Sequence, residues 1–359
     1  TLAMVKEYGY EYNAVVDEEL LLKTQWRGTE KKLWNAYCFR CGRDALKVIA
    51  REHPNTTVYL PSLCCDSMIT PFELYDCRVV FYPLQESLKC DYHALISLIS
   101  DLRERAILLF YDYFGISMFD TTQLVDIKNR YENLILVRDV THNLMNCKRL
   151  DLYVDYTVAS LRKWLNIPDG GLLWTEKSLY FKDFFDDSTF ARKRLNAQYL
   201  RTLYFETGDE NVKNTYRKEF SEVSALLDEN KQPVKMTEYS FELISKTDWN
   251  EVKNIRVKNA KILVDIFSKS HDIKLITSNF KDGCLYVPIA IENRDVVQSK
   301  LSSKGIFNTI IWPLRMEQVN TCKTAKYVLE HMLAVPCDQR YNEDDMQYIG
   351  EEIVRVLNE

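Results

Sequence analysis

Ser160-Leu161-Arg162-Lys163-Trp164-Leu165-Asn166-Ile167-Pro168-Asp169-Gly170-Gly171 is the stretch on which the fold of this chain turns. It follows Tyr156 to Ala159, an apolar run that reads as a buried strand. Its two glycines lead into another short apolar run, Gly171 to Thr175. Upstream, Leu134 to Val137 is a further apolar run, and it leads into Arg138-Asp139-Val140-Thr141-His142. Working outward toward the N-terminus, Arg105 to Tyr111, Arg78 to Tyr82 and Thr57 to Leu60 are strand-like. Between the strands, Asp44 to Glu52, Asp66 to Tyr75, Tyr92 to Leu102 and Thr121 to Tyr131 carry helical spacing. Nearly unbroken apolar strands alternating with helices predict an α/β fold, a mainly parallel sheet in a three-layer α/β/α arrangement.

Toward the C-terminus the pattern changes. Asp186 to Asn230 is polar and free of proline, as expected of long bridging helices. Beyond Trp249 the sequence predicts a helix from Val252 to Ser268, a strand from Cys284 to Ile291 and a helix from Val296 to Lys304. A strand from Phe307 to Trp312 and a last helix from Asp344 to Asn358 follow. This is the order of a small α+β unit. The expected division is an N-terminal arm (1–34), a large α/β domain (35–235) and a small C-terminal α+β domain (236–359).

The chain has 359 residues, 46% of them hydrophobic and 28% charged, with a net charge of -5. That charge argues against a nucleic-acid partner, which calls for a basic face. No apolar run approaches the roughly 18 residues of a membrane span. Thr1 to Tyr12 lacks the shape of a secretion signal. The ten cysteines are therefore expected as free thiols in a reducing cytoplasm. Cys38-x-x-Cys41 with Cys64-Cys65 is an alternative zinc set. It lacks the paired spacing of a zinc site, and no metal is expected.

The chemistry rests on a few side chains. A lysine in an enclosed site loses part of its charge preference to desolvation, and its neutral amine can attack an aldehyde. An aspartate at the carboxyl end of a buried strand can hold a pyridine nitrogen charged, which makes the ring an electron sink. Lys163 and Asp139 are those two groups, and the cofactor they call for is pyridoxal 5'-phosphate. His142 can lie against the ring or its phenolic oxygen. Gly42 and Arg43 open a helical pattern whose free N–H groups suit a phosphate, and Ser160 can add a hydroxyl. Arg162, beside Lys163, would lower the lysine further if it points inward. Taken singly, each has a plainer reading: a solvated lysine, a capping aspartate, a hairpin glycine pair. Their order along the chain selects the site.

In that order they resemble a fold type I pyridoxal-phosphate enzyme, and more narrowly the DegT-like (DegT/StrS type) nucleotide-sugar aminotransferases. In that family a glycine-containing helix start, here Gly42 and Arg43, binds phosphate. A strand ends in Asp-x-x-His or Asp-x-x-Gln, here Asp139 and His142. A Schiff-base lysine precedes Glu-Gly-Gly, here Lys163 and Asp169-Gly170-Gly171. Asp112-Tyr113-Phe114-Gly115, Trp312-Pro313-Leu314-Arg315 and Pro336 to Tyr341 are similar to later segments of the family.

The resemblance implies a cytoplasmic homodimer with a shared active site. It implies transfer of an amino group, with glutamate as a plausible donor, to a keto group on a nucleotide-linked sugar, as in polysaccharide biosynthesis. Several positions depart from the family. Pro61-Ser62-Leu63-Cys64-Cys65 has no aromatic where the family stacks one on the cofactor, so Cys65 or another side chain must cover the ring. Ser160 lies closer to the lysine than the family serine does. Asp112 and Arg315 replace histidines. Asp112, Arg162 and Arg315 are the candidate substrate-binding residues, and an arginine on a carboxylate would favour amino or keto acids over a sugar. A non-catalytic ligand- or partner-binding member of the fold is the other alternative.

Overall fold

A computed structural model describes residues 4–15, 17–148, 152–229 and 231–359. The first strand, β1 (Tyr8–Gly9), belongs to the C-terminal half of the molecule and pairs far along the chain. The large sheet is built from β2 (Tyr37–Phe39), β3 (Thr57–Pro61), β4 (Arg78–Tyr82), β5 (Ala106–Tyr111), β6 (Leu134–Asp139), β7 (Tyr156–Ser160) and β8 (Gly171–Trp174). Its order is β4-β3-β5-β6-β7-β8-β2. All neighbours run parallel except at β8, which is antiparallel to both β7 and β2.

The strand order explains where a ligand gathers. The chain passes outward from β3 to β4, then crosses back to place β5 on the other side of β3. Adjacent loops at such a reversal diverge and leave a crevice at the carboxyl ends of the strands. The loops after β3, β5, β6 and β7 all open at this edge. β5 lies inside the sheet and every one of its residues, Ala-Ile-Leu-Leu-Phe-Tyr, is buried, which is why it reads as an unbroken apolar run.

The C-terminal half has its own core. β9 (Lys274–Leu275), β10 (Tyr286–Ala290) and β12 (Met332–Pro336) form an antiparallel sheet in the order β12-β10-β9. Helices Trp249–Phe267, Arg294–Ser303 and Glu343–Leu357 pack on it through Leu263, Phe267, Leu301, Ile349 and Ile353. β11 (Ile306–Phe307) pairs in parallel with β1, and Tyr8 joins this second core. Helices Thr189–Thr207 and Glu210–Glu229 fill the polar stretch between the halves; Asn230, the expected end of that stretch, lies outside the described residues.

Three expected elements are corrected. The strand expected from Phe307 to Trp312 is confined to Ile306–Phe307, and the chain beyond it is an irregular segment that reaches back over the large sheet. Ile311 and Trp312 are buried in the large core, not the small one. The helices expected from Asp66 to Tyr75 and Tyr92 to Leu102 stop at Glu73 and Ile99. No helix among the described residues is long and apolar enough to cross a membrane.

Candidate active site

Asp139 is the last residue of β6, with its carboxylate at the crevice. The chain then turns through a single 3-10 turn, Thr141–Asn143, that carries the buried His142. Asp139 Oδ1 accepts from the Thr141 N–H at 2.8 Å. The lysine loop is tied to this same turn. The Ser160 N–H donates to Thr141 Oγ1 at 3.0 Å, and the Trp164 indole donates to the Thr141 carbonyl at 2.7 Å. The Trp164 carbonyl in turn accepts from Gln339 at 2.7 Å and from Tyr12 at 3.2 Å. Lys163 is therefore clamped from the residue next to it.

The acidic residue of the Asp-Gly-Gly run serves the same end. Asp169 is buried and accepts from the Thr237 N–H at 2.7 Å, from Thr237 Oγ1 at 2.6 Å and from Ser240 Oγ. It pins the loop to the start of helix Glu238–Lys246. Gly171 is required by contact: a Cβ there would lie 2.2 Å from the Cys41 carbonyl carbon.

The electrostatics point to a missing partner. Burial raises the Asp139 carboxyl to about 6, against hydrogen bonds from Thr141 and the nearby Lys163, which lower it. Burial and the Lys163 charge hold His142 well below its ordinary value, so the ring is neutral. Its Nδ1 accepts a long hydrogen bond, 3.5 Å, from the Phe114 N–H. The proton then resides on Nε2, which is buried and has no partner among the described residues. A buried donor left unsatisfied is costly. A pyridoxal group would fit this arrangement: its protonated ring nitrogen would pair with Asp139, and its phenolic oxygen would give His142 an acceptor.

The remaining candidates divide. Cys65 caps helix Asp66–Glu73 and lies within the field of both Lys163 and Asp139. Gly42 opens helix Gly42–Glu52, and a Cβ there would meet Ser160 Cβ at 3.4 Å. Gly42 and Ser160 thus form two sides of one recess. The Arg43 guanidinium turns away from it, to Ser67 Oγ at 2.6 Å and to Asp228. What Arg43 offers an anion in the recess is its backbone N–H. Arg162 lines the cleft beside Lys163.

Two candidates do not reach the cleft. Asp112 is fully buried and taken by Arg138 at 2.6 Å and by Asn143 at 2.8 Å. It holds the β5 and β6 loops together and has no face toward a substrate. Arg315 is bound to Glu73 at 2.6 Å and to Asp66 at 2.7 Å on the outside of the crevice. All ten cysteines are free thiols, and no cluster of metal-ligating side chains occurs among the described residues.

Sequence reasoning missed the aromatic wall. The Trp312 ring lies 5.7 Å from His142 at 30°, while Tyr111 meets both rings edge-on. The Trp-Pro-Leu-Arg segment was legible as a motif, but nothing in it marked the indole as a neighbour of the lysine. The cleft itself, about 270 Å³, is bounded by Lys163, Tyr12, Tyr286 and a set of charged side chains.

No family model and no curated protein matches the sequence. Solved structures match the fold over nearly the whole chain. PseC from Helicobacter pylori, an aminotransferase involved in the biosynthesis of pseudoaminic acid, superposes with a TM-score of 0.69 at 15% identity, covering 98% of this chain and 100% of that one. A DegT DnrJ EryC1 StrS aminotransferase from Brucella abortus gives 0.61 at 14% identity, covering 90% and 86%. DesI, solved in the presence of its TDP-sugar product, gives 0.69 at 14% identity, covering 99% and 94%. Other neighbours of this fold were solved in PLP or PMP forms. The chain has the fold of these sugar aminotransferases.

Proposed function

We propose that this protein is a pyridoxal-phosphate-dependent aminotransferase that transfers an amino group from an amino acid, glutamate by preference, to a keto group on a nucleotide-linked sugar. The observation that carries the cofactor is the orphaned, buried Nε2–H of His142 and a carboxyl raised by burial at Asp139, both within the field of the Lys163 charge. The fold shared with sugar aminotransferases, one of them solved with a TDP-sugar product, supports the substrate class.

Pyridoxal phosphate supplies an aldehyde for amine exchange and an electron-withdrawing ring. The chain's own groups do the rest. The Lys163 amine would hold the cofactor's aldehyde carbon and, when free, would take the proton from the donor α-carbon at Nζ. Asp139 would keep the ring nitrogen protonated. His142 would donate from Nε2 to the phenolic oxygen. The N–H groups of Gly42 and Arg43 and the Ser160 hydroxyl would receive the phosphate. Trp312 and Cys65 would bound the ring. The working form is a homodimer with a shared site, acting in the cytoplasm.

Borohydride reduction of protein incubated with pyridoxal phosphate, followed by peptide mapping, tests the assignment. Label confined to Lys163, and lost in Lys163→Ala with folding retained, is the expected result. Label scattered over exposed lysines would leave the fold without this chemistry. Presenting glutamate with nucleotide ketosugars and with simple keto acids then separates a sugar acceptor from an acid.

A further inference from the structure

The cleft beside Lys163 is out of charge balance. Arg162, Lys163, Arg194 and Arg340 line it, against Glu11 and Asp338. Both carboxylates are matched: Arg194 pairs with Glu11 at 2.5 Å, and Arg340 with Asp338 at 2.7 Å. Arg162 has no ion pair or hydrogen bond among the described residues, and its Nε is buried with no partner. Its guanidinium lies 5.3 Å over the Phe190 ring, a contact that orients the group without neutralising it. Burial, and after it the charge of Arg194, pushes Arg162 down to about 10.

A guanidinium remains charged under all ordinary conditions, and Arg162, half-buried, leaves its Nε shut off from water without a partner. Its planar fork matches the oxygens of a phosphate or carboxylate. Two sources of such an anion are within reach. Arg162 lies in the field of Cys41 and Arg43, at the start of helix Gly42–Glu52, where a cofactor phosphate would sit. It also lines the cleft that a substrate would enter.

We propose that Arg162 is an anion anchor that binds an oxyanion, phosphate or carboxylate, of the ligand held against Lys163. The inference rests on the cofactor reading above for the identity of that ligand, and it adds a residue next to the reacting lysine that selects for charge. It accounts for a cation in a pocket whose own carboxylates are already taken.

The test uses the full chain as wild type, Arg162→Gln and Arg162→Lys, each checked for folding by circular dichroism and thermal midpoint. Pyridoxal phosphate and pyridoxal, which lacks the phosphate, are titrated into each. If the anion is the cofactor's, R162Q weakens pyridoxal phosphate about 10-fold or more and leaves pyridoxal unchanged. If it is the substrate's, cofactor affinity is unchanged. The KM for an anionic amino donor, read from bleaching of cofactor absorbance, then rises about 10-fold while kcat stays within a few-fold. In either arm R162K recovers part of the loss. R162Q that binds both compounds and the donor as wild type does overturns the proposal.

A wild type that takes no pyridoxal phosphate on Lys163 overturns the cofactor reading instead. Inorganic phosphate titrated into the same proteins then tests Arg162 by itself. Binding that disappears in R162Q upholds the anchor, and equal or no binding in both overturns it.

Discussion

Lys163 Nζ lies 6.0 Å from the centre of the Trp312 ring, although the two residues are far apart in the sequence. The segment carrying Trp312 is fastened to the loop carrying Cys65. Arg315 binds Asp66, and Gln318 donates to the Cys64 carbonyl at 2.9 Å. An indole is thereby brought to a crevice where the side chain at position 65 is too small to cover a planar ring. Trp312→Ala should weaken cofactor binding by roughly 3- to 10-fold, the worth of one aromatic contact, and Trp312→Phe by less. Cofactor titration measures this. Quenching of tryptophan emission on cofactor addition should shrink in W312F, and quenching equal to wild type would place the ring elsewhere.

The raised Asp139 carboxyl makes stability depend on pH in a particular direction. Its folded value is about 6 against an ordinary 3.8. Between these values the folded protein keeps a proton that the unfolded chain has released, so stability falls as pH rises through this window and then levels off. Two units correspond to roughly 3 kcal/mol. In protein stripped of cofactor, Asp139→Asn should therefore melt higher than wild type above about pH 7 and equally near pH 4. The same variant should lose cofactor affinity. No gain in melting temperature would mean that the carboxylate already has a counter-charge.

Much of the large sheet was legible because its inner strands are buried. Ala106–Tyr111 and Tyr156–Ser160 are buried throughout, and the residues that end the inner strands, Asp139 and Ser160, are placed by them. Short or seamless elements were not legible. Tyr37–Phe39 has three residues, and Met332–Pro336 follows helix Lys323–His331 with no turn residue between them. Partners distant in sequence were hidden as well. Nothing near Asp112 announces that Arg138 will occupy it, and nothing near Arg315 announces Asp66 and Glu73. Arg162 is the converse case, since its lack of a partner is visible only once the cleft is assembled.

Asp112 should behave as a structural residue. Its carboxylate is fully buried, and Arg138 and Asn143 both donate to it. Removing the carboxylate takes a charged hydrogen-bond acceptor from both Arg138 and Asn143, at a cost of about 1.5–3 kcal/mol. Asp112→Ala should lower the unfolding midpoint strongly, while the folded fraction keeps the wild-type KM for both substrates. A raised KM with unchanged stability would return Asp112 to the substrate site.

Gly171 and Gly42 offer a contrast that separates packing from phosphate binding. A Cβ on Gly171 would meet backbone, 2.2 Å from the Cys41 carbonyl carbon and 2.6 Å from the Gly42 nitrogen. Backbone cannot swing aside as a side chain can, so β8 and the start of helix Gly42–Glu52 would be forced apart. Overpacking of this kind costs about 1–3 kcal/mol or more. A Cβ on Gly42 meets Ser160 Cβ, the Ala159 carbonyl oxygen and the Ser160 nitrogen at ordinary contact distance, 3.4 Å or beyond. Gly42→Ala should therefore fold within about 1 kcal/mol of wild type, yet it narrows the recess between the helix start and the Ser160 hydroxyl. Chemical unfolding should show a loss in G171A and little in G42A. Titration should show weakened pyridoxal phosphate binding in both, with pyridoxal affected in G171A alone. If G42A binds pyridoxal phosphate as tightly as wild type, the phosphate does not lie in that recess, and the cleft lined by Arg162 becomes the place to examine for it.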